Sequence, residues 1–235
     1  MLIRMATALA VAMLVSFGFG KHLFALVKHP LARVTPDPEA MLFTPFEVAG
    51  SFTLAIKLAF YGGLVLATPF LVFYLLDFIV PALTNREKNM VRPVLFGAGL
   101  LFVAGVALAY FAVIPAALKF FINHNRYFFE EDPQWTTPNY VAFVMHTMLA
   151  FGLSFEFPLI VLALAKLGVV SHEFLRAKRS YFVVGVFVFS AIVTPSTDII
   201  SQLLLAVPLC LLFEACIWIV RWMERKRNRA DRTTG

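Results

Sequence analysis

Of 235 residues, 60% are hydrophobic, 14% are charged and 26 are Phe, whereas an average soluble domain is about 45 to 50% apolar and about a quarter charged. That balance excludes a soluble globule. With 12 Gly and 13 Pro and no repeat, it also excludes a collagen-like or disordered chain, so the net charge of +6 has to be read against a membrane before nucleic acid is considered.

Runs such as GGLVLATPFLVFYLL and FGAGLLFVAGVALAYFAVI are apolar on every side, where a β-barrel strand alternates over about 10 residues. The spans are therefore predicted to be helical. Six helices of roughly 20 residues fit this length, giving an all-α polytopic membrane fold in a single domain, residues 1–235.

The first span covers about residues 1–20 and is interrupted only by Arg4, which would snorkel. SFGFGKHL offers no small-x-small cleavage site, so a retained anchor is expected rather than a signal peptide. From Lys21 to about Ser51, Pro30, Pro36, Pro38 and Pro45 exclude a long regular helix and favour a structured external cap. The second span, about 52–80, carries Pro69 and closes before Pro81. The polar turn ALTNREKNMVR leads into a third span, about 93–118, and then NHNRYFFEEDPQWTTPN forms a second external loop. Trp135 and Tyr140 at its far edge suit an interfacial aromatic belt. The fourth span covers about 140–167. The fifth, about 181–193, is short: 13 residues rise roughly 20 Å. TPSTD turns it into a sixth span, about 199–220, followed by a basic tail, 221–235.

Bases orient the spans, because the cytoplasmic side carries the excess. One set of connections holds Arg86, Lys88, Arg92, Arg176, Lys178, Arg179, Arg221, Arg225, Lys226, Arg227, Arg229 and Arg232. The other holds Lys21, Lys28, Arg33, Lys119 and Arg126. Both termini are expected in the cytoplasm, and the +6 reads as a topology signal with no nucleic-acid partner.

Among the polar residues, Glu156 stands out, about midway along the fourth span. A carboxyl at bilayer centre costs at least about 2.5 kcal/mol on insertion scales. Pro158 leaves the carbonyl of Ser154 without its helical amide. Met145, Met148, Gly152 and Glu156 share one helix face, suited to another helix or a passing polypeptide. Either Glu156 is a functional acid or it is protonated and hydrogen-bonded within the bundle. By spacing, Asp198 is an N-cap of the sixth span, and Glu87 is a solvated loop acid. Cys210 and Cys216, six apart, occupy different helix faces. His22, His29, His124, His146 and His172 are scattered, so neither a metal site nor a cofactor is expected. No Walker, HExxH or GxSxG motif occurs, and the chain reads as non-enzymatic.

Three elements in order, F-x-x-P-x-L-x-x-x-E (Phe78 to Glu87), S-F-E-x-P (Ser154 to Pro158) and T-P-x-x-D-x-x-S-Q (Thr194 to Gln202), carry a resemblance to the TatC family, the multispanning subunit of the twin-arginine protein translocase. It covers nearly the whole chain from Pro30 onward. The resemblance implies a receptor in the plasma (inner) membrane for signal peptides of folded cargo. It also implies single-span TatA/TatB-type partner subunits, and a homo-oligomer within the complex. Glu87 matches the acid that takes part in recognising the paired arginines, displacing the solvated-loop reading; a carboxylate accepts a bidentate guanidinium contact that lysine cannot reproduce. Glu156 matches the family's intramembrane acid, and Asp198 and Gln202 match the external turn and the polar residue where partner subunits dock. Phe78, Pro81 and Pro30 match supporting positions. Family members begin with a cytoplasmic H-L-x-E-L-R segment, of which MLIRMATA keeps at most the last position, Arg4; the natural chain is therefore expected to start further upstream. A small-solute or ion transporter using Glu156 as a proton or cation site, and a passive scaffold, are the other readings.

Overall fold

The computed structural model describes residues 2–43, 50–79, 97, 99–166, 168–193 and 199–233. Helices α1 (Leu2–Gly18) and α2 (Gly20–Ala32) meet at Phe19 with a bend of 79°. Helix α3 (Gly50–Ile79) runs unbroken through Pro69. Helix α4 (Gly99–Phe129) contains a π-helical turn at Ala109–Val113. Then follow α5 (Thr137–Lys166), the short α6 (His172–Ala177), α7 (Arg179–Val193) and α8 (Ile199–Thr233).

Among the described residues, four helices are long and apolar enough to cross a membrane: Gly50–Val72, Gly99–Phe129, Thr137–Leu162 and Gln202–Arg225. The bent α1–α2 pair passes the same test only jointly, and α7 is shorter.

Packing sets the helix directions. Phe102 of α4 sits on Gly152 of α5, while Phe121 near the other end of α4 meets Phe143, so α4 and α5 are antiparallel. The early part of α8 (Leu205, Ala206, Leu209) shares a core with Val141 and Met145 of α5, and its later part (Phe213, Cys216, Val220) shares one with Val161 and Ala165, so those two run parallel. Helix α1 packs on α3 through paired glycines: a Cβ at Gly63 would stand 2.7 Å from Met13 Cα, and one at Gly62 3.3 Å from Ser16 Oγ. Small residues are how helices approach this closely in lipid, where burial of apolar surface alone drives little association.

Several expectations change. The stretch after Gly20 is not only a proline-broken cap, since α2 holds Pro30 in its last turn. Helix α4 continues past Leu118 to Phe129, because KFFINHNRYFF contains neither Gly nor Pro and keeps Ile122 in the core. It stops at Glu130, which takes a left-handed φ of 58° and donates its N–H to the Arg126 carbonyl at 3.1 Å. The basic tail extends α8 to Thr233; its 35 residues rise about 52 Å, well beyond a hydrocarbon core of about 30 Å.

The all-α reading also gains a two-residue parallel ribbon, β1 (Leu42–Phe43) with β2 (Trp135–Thr136), which pins the segment after α2 to the one before α5. Trp135 is therefore held in the ribbon, its N–H donating to the Met41 carbonyl at 2.9 Å. Tyr140 is only 3% exposed, so it is not part of a lipid-facing belt.

Candidate functional site

Two polar arrangements stand inside the apolar bundle. The first is Glu156, on α5. It is 5% exposed, and neither carboxyl oxygen has a hydrogen-bond partner among the described residues. The hydrogen-bonded alternative thus finds no partner there. Because α5 spans Thr137–Lys166, Glu156 lies about 15 Å from its last residue, nearer the α6 end than the expected middle.

The helix face that carries Glu156 packs closely against α4 at Gly152. A Cβ at Gly152 would stand 2.5 Å from Phe102 Cε2, and one at Gly105 2.6 Å from the Phe151 carbonyl oxygen. Met145 and Met148 are buried. Contact between α4 and α5 without glycine at these points would force the backbones apart and open the wall beside the acid.

The second arrangement anchors α2. Pro30 has no N–H for the carbonyl of Leu26, four residues earlier. The Tyr110 hydroxyl donates to that carbonyl at 2.9 Å, with His29 Nδ1 3.3 Å from the same oxygen atom of the tyrosine. The Tyr140 hydroxyl donates to the next carbonyl, Val27, at 2.8 Å. Tyr110 is carried on the π-helical turn of α4, whose wider turn re-aims a side chain. Neither tyrosine was marked as functional by the sequence; the signal available was a Pro late in a helix, whose freed carbonyl requires a donor.

Gln202 lies in the first turn of α8, where its Nε2 donates to the Phe187 carbonyl of α7 at 2.8 Å. It ties α7 to α8 from within the chain. Ser190, one turn further along α7, donates to the Val186 carbonyl at 2.7 Å. Phe78 belongs to α3. Glu87, Pro81 and Asp198 lie outside the described residues. The structure therefore brings Pro30 together with the tyrosines and Gln202 with α7, and leaves Glu156 separate from both.

At the α6 end, Glu224 of α8 accepts from the His172 N–H at 3.0 Å and pairs with its ring Nδ1, while Arg179 pairs with Glu214. Tyr61 and His146 join α3 to α5 through an O···N contact of 2.7 Å. Among the described residues no group of three or more His, Cys, Asp or Glu could hold a metal ion.

A bundle of apolar helices that alternate in direction, holding a buried carboxyl without a partner among the described residues and capped by the segment pinned in the β1–β2 ribbon, defines a multispanning membrane protein with no catalytic constellation among the described residues. The profile of the family described as "Sec-independent protein translocase protein (TatC)" matches residues 1–208, and the chain belongs to that family. It is similar to the TatC of Aquifex aeolicus, with 34% identity over 93% of this chain and 89% of that one. With the TatC of Escherichia coli it shares 39% identity over 91% of this chain and 81% of that one. With the chloroplastic protein of Arabidopsis thaliana it shares 36% over 93% and 62%. The solved structure of "Twin Arginine Translocase Receptor- TatC in DDM" superposes with a TM-score of 0.82 at 35% identity, covering 93% of this chain and 95% of that one. Membership identifies a component of a protein translocase, not an enzyme, and sets the solute-transporter reading aside.

Proposed function

We propose that this chain is the receptor subunit of a twin-arginine translocase in the plasma (inner) membrane, with six spans and both termini cytoplasmic. The bent α1–α2 pair and α7 supply the two spans beyond the four long helices. The basic residues Arg176, Lys178, Arg179, Arg221 and Arg225, all at the α6 end, support that end facing the cytoplasm. The whole chain, 1–235, forms one membrane domain.

Glu87, in the segment joining α3 to α4, receives the paired arginines of a signal peptide, and the inserted peptide reaches the α4–α5 face, where Glu156 offers a carboxyl. Asp198 and Gln202, at the α7–α8 turn, face the single-span partner subunits. Several copies of the chain work within the complex. The 15 residues of α7 rise about 22 Å, short of a hydrocarbon core of about 30 Å, so the bilayer beside α7 is thinned and insertion made easier.

The observation that carries this reading is the buried Glu156 without a partner among the described residues. A carboxyl in lipid that is not used internally is a functional group by default.

The test is binding of a photo-crosslinkable twin-arginine signal peptide to the purified protein. Charge-assisted hydrogen bonds contribute about 1.5 to 3 kcal/mol, so Glu87→Gln should weaken binding about ten- to a hundredfold. Unchanged affinity would remove Glu87 from the site.

A further inference from the structure

Between α5, α7 and α8 lies a cavity of about 520 Å³, within the roughly 300 to 1,000 Å³ of small-molecule sites. Its walls include Leu153, Phe157, Phe182, Phe189 and Leu212. The hydroxyl of Ser154 on that wall already donates to the Ala150 carbonyl at 2.6 Å, so the interior is an apolar slot. Gly185 provides the room, since a Cβ there would meet nothing within 4 Å.

One end of the slot is basic. Tyr181 stands at its rim, and Lys178 Nζ lies 5.0 Å above the Tyr181 ring. Of the acids at this end, Glu214 is engaged with Arg179 and Glu224 with His172, which leaves Glu173. Glu173 and Arg176 are exposed on α6, and neither they nor Lys178 has an ion-pair partner among the described residues. Lys178, an exposed positive charge over the Tyr181 ring of an apolar slot, matches the two-part chemistry of a phospholipid, with acyl chain and phosphate held at opposite ends. A single-span partner helix fits less well, because its flank on the basic side of a membrane is itself basic. A free anion would leave the slot unfilled.

We infer that this groove binds an anionic glycerophospholipid, with one acyl chain beside Gly185 between α5, α7 and α8 and its phosphate at Lys178. The inference is independent of the role given to Glu87 and Glu156.

The purified protein in mixed micelles of phosphatidylglycerol and phosphatidylcholine, examined by native mass spectrometry, reads the lipid retained. Wild type should retain phosphatidylglycerol in preference by about fivefold for each contributing base, at about 1 kcal/mol apiece. Gly185→Leu projects into open space, keeps the fold and fills the slot, so retention of both lipids should fall. Lys178→Gln, at an exposed position, should leave total retention intact and remove most of the preference. Equal retention by wild type and Gly185→Leu, or an unchanged preference in Lys178→Gln, overturns the site. So does displacement of the lipid by inorganic phosphate alone, or crosslinking of Gly185→Cys in membranes to a single-span protein in place of a lipid-soluble maleimide.

Discussion

The hydroxyl of Tyr110 donates at 2.9 Å to the carbonyl of Leu26, the group that Pro30 leaves without a helical amide. Proline in the last turn of α2 is thereby tolerated, and α4 is fastened to α2 by the same bond. Tyr110→Phe should lower stability by about 0.5 to 1.5 kcal/mol, the net contribution of one hydrogen bond, read as a fall in melting temperature in detergent. In Tyr110→Phe with Pro30→Ala, the new amide can take the Leu26 carbonyl, so the double variant should melt above Tyr110→Phe alone. Strict additivity of the two changes would show that the hydroxyl and the proline are not linked.

How far the sequence reached can be judged at these residues. Periodless apolar runs located α3, α4, α5 and α8, and the polar TPSTD sequence separated α7 from α8, because long hydrophobic stretches bounded by polar sequence admit one structure in lipid. The ends escaped: KFFINHNRYFF and RWMERKRNRADRT are good helix formers whose polarity reads as a loop, yet a helix can project beyond the bilayer at no cost in hydrogen bonding. Glu156 was visible because an acid in an apolar run is rare. The Tyr110 and Tyr140 bonds were not, since they join residues 84 and 113 positions apart, and only the tertiary fold brings such donors to a carbonyl.

The glycines of the α4–α5 contact should rank by what their Cβ would strike. At Gly105 the nearest atom is the Phe151 carbonyl oxygen, at 2.6 Å; at Gly152 it is the ring of Phe102, at 2.5 Å. Backbone cannot step aside, whereas a ring can turn within a packed core at a cost of about 1 to 3 kcal/mol. Gly105→Ala should therefore destabilise more than Gly152→Ala, and Gly185→Ala, with open space around it, should be neutral or slightly stabilising through helix propensity. Thermal melts of the three variants give the order directly.

The end of α4 is closed by an exposed pair, Arg126 with Asp132 at 2.5 Å. The hydrogen bond and charge of the Arg126 guanidinium hold the Asp132 carboxyl below its usual range. A lowered folded-state value means that the pair favours the closed end above the ordinary aspartate pKa, an advantage lost as pH falls through the lowered value. Carboxyl carbon NMR should show Asp132 titrating below the ordinary aspartate range, and Arg126→Ala should move it up into that range. An Asp132 titration that does not respond to Arg126→Ala would show that the pair does not form in solution.

Replacing the Glu156 carboxyl separates folding from the proposed function. An ionisable group buried without a partner, as Glu156 is among the described residues, subtracts from stability, and its replacement by an apolar side chain of similar size is commonly neutral or favourable. Glu156→Leu should therefore raise the melting temperature or leave it unchanged, and Glu156→Gln, which keeps the shape and the polar end, should stay within about 1 kcal/mol of wild type. Export of a folded twin-arginine reporter in cells should fail in Glu156→Leu despite that stability, because an incoming chain then meets an apolar wall beside Phe102 and Gly152. Glu156→Gln should retain more export than Glu156→Leu if hydrogen bonding is what the inserted peptide uses, and no more than Glu156→Leu if it needs the charge. A Glu156→Leu protein that melts several degrees lower would mean that the carboxyl is already held by a structural bond, and its reading as a group kept for an incoming chain would fall.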